Sequence, residues 1–342
     1  MKKIKILLRT CLNPLLNTRW MKRYRATQSL YGNYKKDAVL YKKYALLFNV
    51  QTLKNKEANL ILNYHALEKG MLFPKMKKGF GKDRIKKLHR ILTDIEVINS
   101  ISRSQIRVGF QVMCQYYELH QKLGYDIECL YSKKQYEFYK SVLSDYYTSA
   151  FNGVINWTKE TFYKDVKADF GKFANSRKSI RNYTGEMISK EMLGKVVNLA
   201  NTAPSVCNRQ ASNVYLVENK EKIDQILEIQ GGFNGYTQDV NQLLIVTNDR
   251  SYYYTPGERH QLYIDGGIFL MNLLYALHFY EIGNCPANWG KTVQEEAPME
   301  DLVNIPKSEK IICIVPIGRV QEEFCSTLSE RRPSRENFMV LS

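Results

Sequence analysis

The chain is poor in the residue patterns that build disulfide and metal sites. Its seven cysteines, Cys11, Cys114, Cys129, Cys207, Cys285, Cys313 and Cys325, form no close pairs. An odd, scattered set in a chain of 342 residues reads as reduced thiols of the cytoplasm, each packed as a small hydrophobe. The five histidines are isolated and give no zinc spacing. A secretory leader is also missing from the pattern. Met1 to Leu16 sets Lys2, Lys3, Lys5 and Arg9 around short apolar runs, with no uninterrupted apolar core and no small-residue cleavage site. Only 263–282 is apolar for about the length of a membrane span. Asp265, His278 and Glu281 interrupt or end it, so a buried core or dimer helix is expected there. No internal repeat or low-complexity tract appears.

What is present is core-forming material and an uneven charge. Hydrophobic residues make up 44%, with 24 tyrosines and 14 phenylalanines, which excludes global disorder. The length suits two domains. Residues 1–165 hold 31 Lys and Arg against 13 Asp and Glu, whereas the remainder holds 19 against 21. The first half is therefore expected either to be a solvated basic face or to meet something acidic: an anionic membrane surface, a nucleic acid, or an acidic sugar or nucleotide-linked substrate. Cations at residues 2–25 with Leu7, Leu8, Leu12, Leu15 and Leu16 between them suit a membrane surface. No nucleic-acid-binding motif is evident, so nucleic acid is the least favoured of the three.

Periodicity divides the chain similarly. From Lys82, Ile85, Leu88, Ile91, Ile95 and Ile98 share one helical face, opposite Lys86, Lys87 and Arg90. Ile106, Phe110, Met113 and Tyr117 give a second stripe, and Tyr139, Val142 and Tyr146 a third. An earlier helix over about 55–69 is expected to end with Gly70 as a left-handed cap. No strand pattern is evident before residue 165. Beyond it, Ser189 caps an expected helix to about Asn201, and Asn213–Glu218, Leu243–Asn248 and Ile311–Ile317 read as strands. These patterns place a domain boundary between Trp157 and Gly171. The expected division is 1–165, a basic helical extension, and 166–342, a mixed α/β-type domain.

Two segments carry the chemistry. Arg177-Lys178-Ser179-Ile180-Arg181-Asn182-Tyr183 gathers cations, a hydroxyl and an amide, the groups that a phosphate and a polar ring edge require. Ala203-Pro204-Ser205-Val206-Cys207-Asn208-Arg209-Gln210 follows a helix with a Pro-Ser turn and two carboxamides. Together they resemble the flavin-binding segments of the nitroreductase family of FMN enzymes. Ala211 stands where the family usually has proline. The apolar stretch from Asp265-Gly266-Gly267 resembles the family's long dimer helix, and Asn284-Cys285-Pro286-Ala287-Asn288-Trp289-Gly290 its loop over one flavin face.

The resemblance implies an α+β fold, a mixed, mainly antiparallel sheet flanked by helices and preceded by an all-helical N-terminal domain. It implies FMN as cofactor and NADH or NADPH as electron donor, with ping-pong transfer to a small-molecule acceptor in a cytoplasmic homodimer. By position it gives phosphate and ring-edge roles to Arg177, Lys178, Ser179 and Arg181. It gives a second cofactor-binding segment to Pro204, Ser205, Asn208 and Gln210, with Asn208 and Gln210 on the ring edge and the Pro204-Ser205 turn setting their direction. Pro286 and Ala287 would cover a flavin face, Asn288 would meet N5, and Arg332, with Arg331 second, would reach the phosphate. Trp289 fits pocket lining or plain core equally well. Relatives build the site across the dimer. Asn63 to Met71, with Gly79-Phe80-Gly81, is similar to an extension on some nitroreductase-like proteins encoded among bacterial surface-polysaccharide genes. There His65 and Glu68 share a helix face, as an acid/base pair or as a packing contact. The other readings are a flavin-fold accessory at the inner face of the membrane and another flavin reaction, such as reductive dehalogenation or flavin breakdown.

Overall fold

A computed structural model describes residues 18–44, 48, 50–73, 75–253 and 255–341. The basic, leucine-containing stretch from Lys2 to Leu16 lies outside the described residues. The chain forms two compact units. One contains the described residues up to Tyr41 together with Phe162–Gln321; the other contains Lys42–Thr161 with the described residues from Glu322 onward.

The second of these is mainly helical. Helix α1 (Arg19–Tyr44) belongs up to Tyr41 to the first unit, whereas α2 (Leu53–Met71), α3 (Lys82–Leu92), α4 (Ser104–Lys122) and α5 (Lys133–Leu143) supply the core of the second. Leu60, Leu67, Ile85, Leu88, Ile106, Phe110, Met113 and Tyr139 are fully buried together, so the three sequence stripes do converge. The first stripe stops early. Asp94 accepts hydrogen bonds from the Glu96 and Val97 amides and starts a separate turn, which leaves Ile95 69% exposed. Gly70 is not a left-handed cap either. It lies inside α2 because the Phe80 ring fills the space where a Cβ would stand, 2.1 Å from that ring's Cε2.

A strand appears before residue 165 after all: β1 (Val154–Thr158) pairs antiparallel with β7 (Glu323–Thr327). Its partner lies far along the chain, and five residues are too short a run for alternation to reveal it.

The other unit is built on a five-stranded antiparallel sheet. Its strands are β2 (Ser212–Val217), β3 (Gln242–Asp249), β4 (Gly283–Asn284), β5 (Ala287–Asn288) and β6 (Glu309–Gly318). The order is β2-β3-β6-β4, with β5 pairing further along the same edge of β6. Helices α6 (Phe170–Ser176), α7 (Lys190–Ala200), α8 (Lys220–Gln230) and α9 (Gln261–Phe279) complete the unit. Leu244, Val246, Cys313 and Val315 meet Leu193, Val196, Leu273 and Leu277 from α7 and α9 on one face. Leu243, Ile245 and Ile314 alternate to the other face and are equally buried. Burial on both faces explains the continuous apolar runs of β3 and β6. The α+β class and antiparallel sheet expected from the sequence are what the structure has. Half of α9 is buried, the rest being an exposed face. Gly266 lets it approach β6 closely, since a Cβ there would sit 2.7 Å from Ile312 Cγ1.

Candidate functional site

The segment from Arg177 to Tyr183 is fastened at both ends. It leaves α6 at Ser176, whose Oγ shares a 2.7 Å hydrogen bond with His278 Nε2 near the end of α9. His278 is 1% exposed, and burial, then the neighbouring Arg177 charge, pushes its basicity down to about 4. It is therefore a neutral imidazole at neutral pH. Further on, the Ile180 amide donates to the Asn284 carbonyl at 2.8 Å. The buried Tyr183 hydroxyl lies 2.8 Å from the Ile180 carbonyl and 3.0 Å from that of Pro316. These bonds hold Arg177, Lys178, Ser179 and Arg181, all half-buried, against β4. The Arg181 guanidinium ends in a buried Nη1 with no hydrogen-bond partner among the described residues. A buried cationic donor left open is costly unless an acceptor completes it.

Pro286, Ala287 and Asn288 follow directly from β4, so the structure brings this loop to the same end of the sheet. Ala287 is buried and its carbonyl accepts from Cys313 Sγ at 3.3 Å. The Asn288 carbonyl accepts from Gln230 Nε2 at 3.0 Å, with the side chain exposed. Trp289 is 5% exposed and its indole N–H donates to Glu296 at 3.1 Å.

The carboxamide segment is elsewhere. Pro204 to Gln210 connects α7 to β2, and three of its non-glycine residues, Cys207, Asn208 and Gln210, take positive φ of 50°, 56° and 48°. Strain of this kind persists only where the surroundings enforce it. Asp265, 3% exposed at the start of α9, accepts from the Val206 amide at 3.1 Å and from Gln261 Nε2 at 2.8 Å. Arg209 is clamped by Glu258 (2.7 Å) and the Tyr252 carbonyl (2.6 Å). Ser205 Oγ accepts from the Gln210 amide at 2.9 Å, and Gln210 Nε2 reaches Asn208 Oδ1 at 3.1 Å. Pro204, Asn208 and Gln210 are exposed, as a contact surface requires.

Within one chain the two segments do not converge. The first is tied to the His278 end of α9 and the second to its Asp265 end, about 20 Å apart at about 1.5 Å per residue. The sheet agrees: β2 enters level with Lys310 of β6, whereas Asn284 pairs with Ile317. The cavity bordered by Pro204, Ser205, Gln210 and Asp265 is only ≈ 20 Å³, room for a water-sized group.

Arg332 lies in the mainly helical unit. There it donates to Glu57 at 2.9 Å, and Arg103 binds the same carboxylate at 2.7 Å. Glu57 is 1% exposed and recruits both guanidinium groups for its own neutralisation. Arg331 is exposed and donates to the Ser329 carbonyl. In the same unit His65 Nδ1 lies 2.8 Å from Glu68 Oε2, as their spacing implied, but Glu68 is fully buried rather than on a helix surface. Sequence reasoning missed Asp265 and His278 as anchors. The signal was available, since an acid and an imidazole inside an apolar helix need partners.

Residues 174–247 match the model of the Nitroreductase family. A Methanothermobacter thermautotrophicus protein named as an NADH dehydrogenase/NAD(P)H nitroreductase is 27% identical over 158 residues, 45% of this chain and 79% of its own. An FMN reductase (NAD(P)H) of Bacillus subtilis is 36% identical over 61 residues, 18% of this chain and 24% of its own. Among solved structures, an FMN-dependent nitroreductase from Clostridium difficile aligns over 49% of this chain and 96% of its own, with 18% identity and a TM-score of 0.42.

Proposed function

We propose that the protein is an FMN-dependent NAD(P)H oxidoreductase whose nitroreductase-type site is shared between two copies of the chain. The observation that carries this reading is a buried Arg181 Nη1, without a partner among the described residues, on the segment tied to one end of α9, and a strained carboxamide loop tied to the other end, the two anchors being about 20 Å apart on the same chain. Arg181 suits an anionic or carbonyl group at a flavin's pyrimidine edge, and Arg177 with Ser179 suits its phosphate. Asn208 and Gln210 suit the ring edge, but only from a second copy. The exposed apolar face of α9, with Ile264, Ile268 and Met271, supports such a homodimer.

Bound FMN supplies reversible two-electron chemistry, which no side chain provides. The chain's residues bind and orient it. Arg177, Lys178 and Arg181 offset negative charge, neutral His278 fixes Ser176 without adding to that charge, and Pro286 with Ala287 covers one face. An open second face, used in turn by nicotinamide and by a small-molecule acceptor, gives ping-pong kinetics. The acceptor we propose belongs to surface-polysaccharide chemistry, a reading supported by the sequence resemblance of residues 63–81 alone. The compartment is the cytoplasm.

Anaerobic addition of NADH or NADPH to the purified protein tests the reading: a visible flavin band is expected and should bleach. A chain that takes up no FMN overturns it. Sharing is tested separately by mixing Arg181→Ala with Gln210→Ala chains. Mixed dimers should recover flavin binding that neither variant shows alone, and failure to recover it returns both segments to one chain.

A further inference from the structure

Helix α1 carries eight lysines and arginines against a single carboxylate, Asp37. That carboxylate is already consumed. Arg259 Nε and Nη2 donate to it at 2.8 and 3.1 Å, and His260 Nε2 lies 3.0 Å away. Leu30, Asn33 and Asp37 are half-buried and define the inward face. The remaining surface holds uncommon residues for a solvated helix. Trp20 is 70% exposed, Tyr24 51% and Tyr31 70%. Their spacing places them along one stripe, and the first two stack with ring centroids 5.9 Å apart. Exposed Arg23, Arg25 and Lys35 adjoin the stripe.

We propose that this face of α1 docks the protein on an anionic phospholipid surface, the aromatic rings seated among headgroups and the flanking cations on lipid phosphates. Tryptophan and tyrosine favour that depth because one end of each ring system is apolar and the other can hydrogen-bond. The positive balance supplies the attraction, each cation being worth roughly fivefold in affinity near such a surface. Charge opposes a second copy on this stripe, because two such helices would bring eight cations each, against one already paired carboxylate, into the same contact. Nucleic acid would use the same cations, but the sequence just before α1 interleaves Leu7, Leu8, Leu12, Leu15 and Leu16 with its cations. Aliphatic side chains gain from acyl chains and little from bases. The inference does not rest on the flavin reading.

Co-sedimentation of the full chain with vesicles tests it. The protein should pellet with phosphatidylcholine vesicles containing phosphatidylglycerol, not with phosphatidylcholine alone, and high salt should release it. Arg23→Gln with Arg25→Gln should lower partitioning by roughly twentyfold, and Trp20→Ala/Tyr24→Ala/Tyr31→Ala should abolish it. Unchanged circular dichroism shows that these variants fold. Three results overturn the proposal: no pelleting at low salt, vesicle binding that the aromatic variant leaves intact, or loss in that variant of self-association or of DNA binding instead of vesicle binding.

Discussion

Two sets of guanidinium groups show how differently the units treat charge. In the mainly helical unit, Arg103 and Arg332 converge on Glu57 and close the ion cluster internally. In the sheet-based unit, Arg181 brings Nη1 into a buried position and meets no acceptor among the described residues. Sequence composition predicts the reverse, since the basic half has the larger surplus of cations. Surplus charge on a surface is solvated cheaply, whereas a single buried donor without an acceptor is not. Location, rather than abundance, therefore separates structural cations from those held for a ligand. Glu68 Oε1 complicates this picture, being a buried acceptor in the helical unit without a partner among the described residues.

The comparison is broken most severely at Glu57. Replacing it with Ala leaves two guanidinium groups facing each other with the shared counter-charge gone. Both are partly solvated, so the expected loss is about 3 kcal/mol, at the low end for a broken buried pair. Urea unfolding followed by helical circular dichroism measures it. A change near zero would mean that water already neutralises the cluster.

Acid should act on the sheet-based unit through His278. Its basicity is lowered from 6.5 to about 4, so below pH 6.5 the unfolded chain takes up a proton that the folded one refuses. Stability is complete above about pH 6.5 and is lost as pH falls toward 4, by about 3 kcal/mol in total. His278→Gln should remove that part of the acid slope in denaturant titrations at several pH values. His89 and His120, whose basicity is also lowered by burial, act in the same direction in the helical unit.

Arg181→Ala sharpens the contrast because it should separate binding from stability. With no partner at Nη1 among the described residues, little folding energy is lost. FMN affinity should fall by about 30-fold to 100-fold, the equivalent of about 2 to 3 kcal/mol for a charged hydrogen bond. Flavin titration beside thermal melting reads both. A variant that loses stability instead would identify Arg181 as a structural cation.

Much of this was legible in the sequence where spacing is local. Ser189 caps α7 through the Met192 amide, and β2, β3 and β6 lie within two residues of their expected bounds. Legibility ended where meaning depends on distant partners. Val154–Thr158 becomes a strand only through Glu323–Thr327, and Arg332 is claimed by a glutamate 275 positions away. The two flavin-type segments read as a single constellation because a sequence places them close along the chain. The long α9 and β6 set them at opposite ends.

Asp265 offers the finest test, because it restrains the carboxamide segment without itself being exposed. Its oxygens receive the Val206 amide and Gln261, with the Tyr253 hydroxyl at 3.3 Å. Asp265→Asn keeps the shape but turns one acceptor into a donor, at a cost of about 1 kcal/mol. Cys207, Asn208 and Gln210 should then relax from their positive φ values as the hold on the Val206 amide weakens. FMN binding is expected to weaken about fivefold with little change in the helical unit. Asp265→Glu, which retains the charge but not the reach, should not restore it. Full affinity in both variants would show that Arg209 and Glu258 alone hold the loop, and that the strain there does not come from α9.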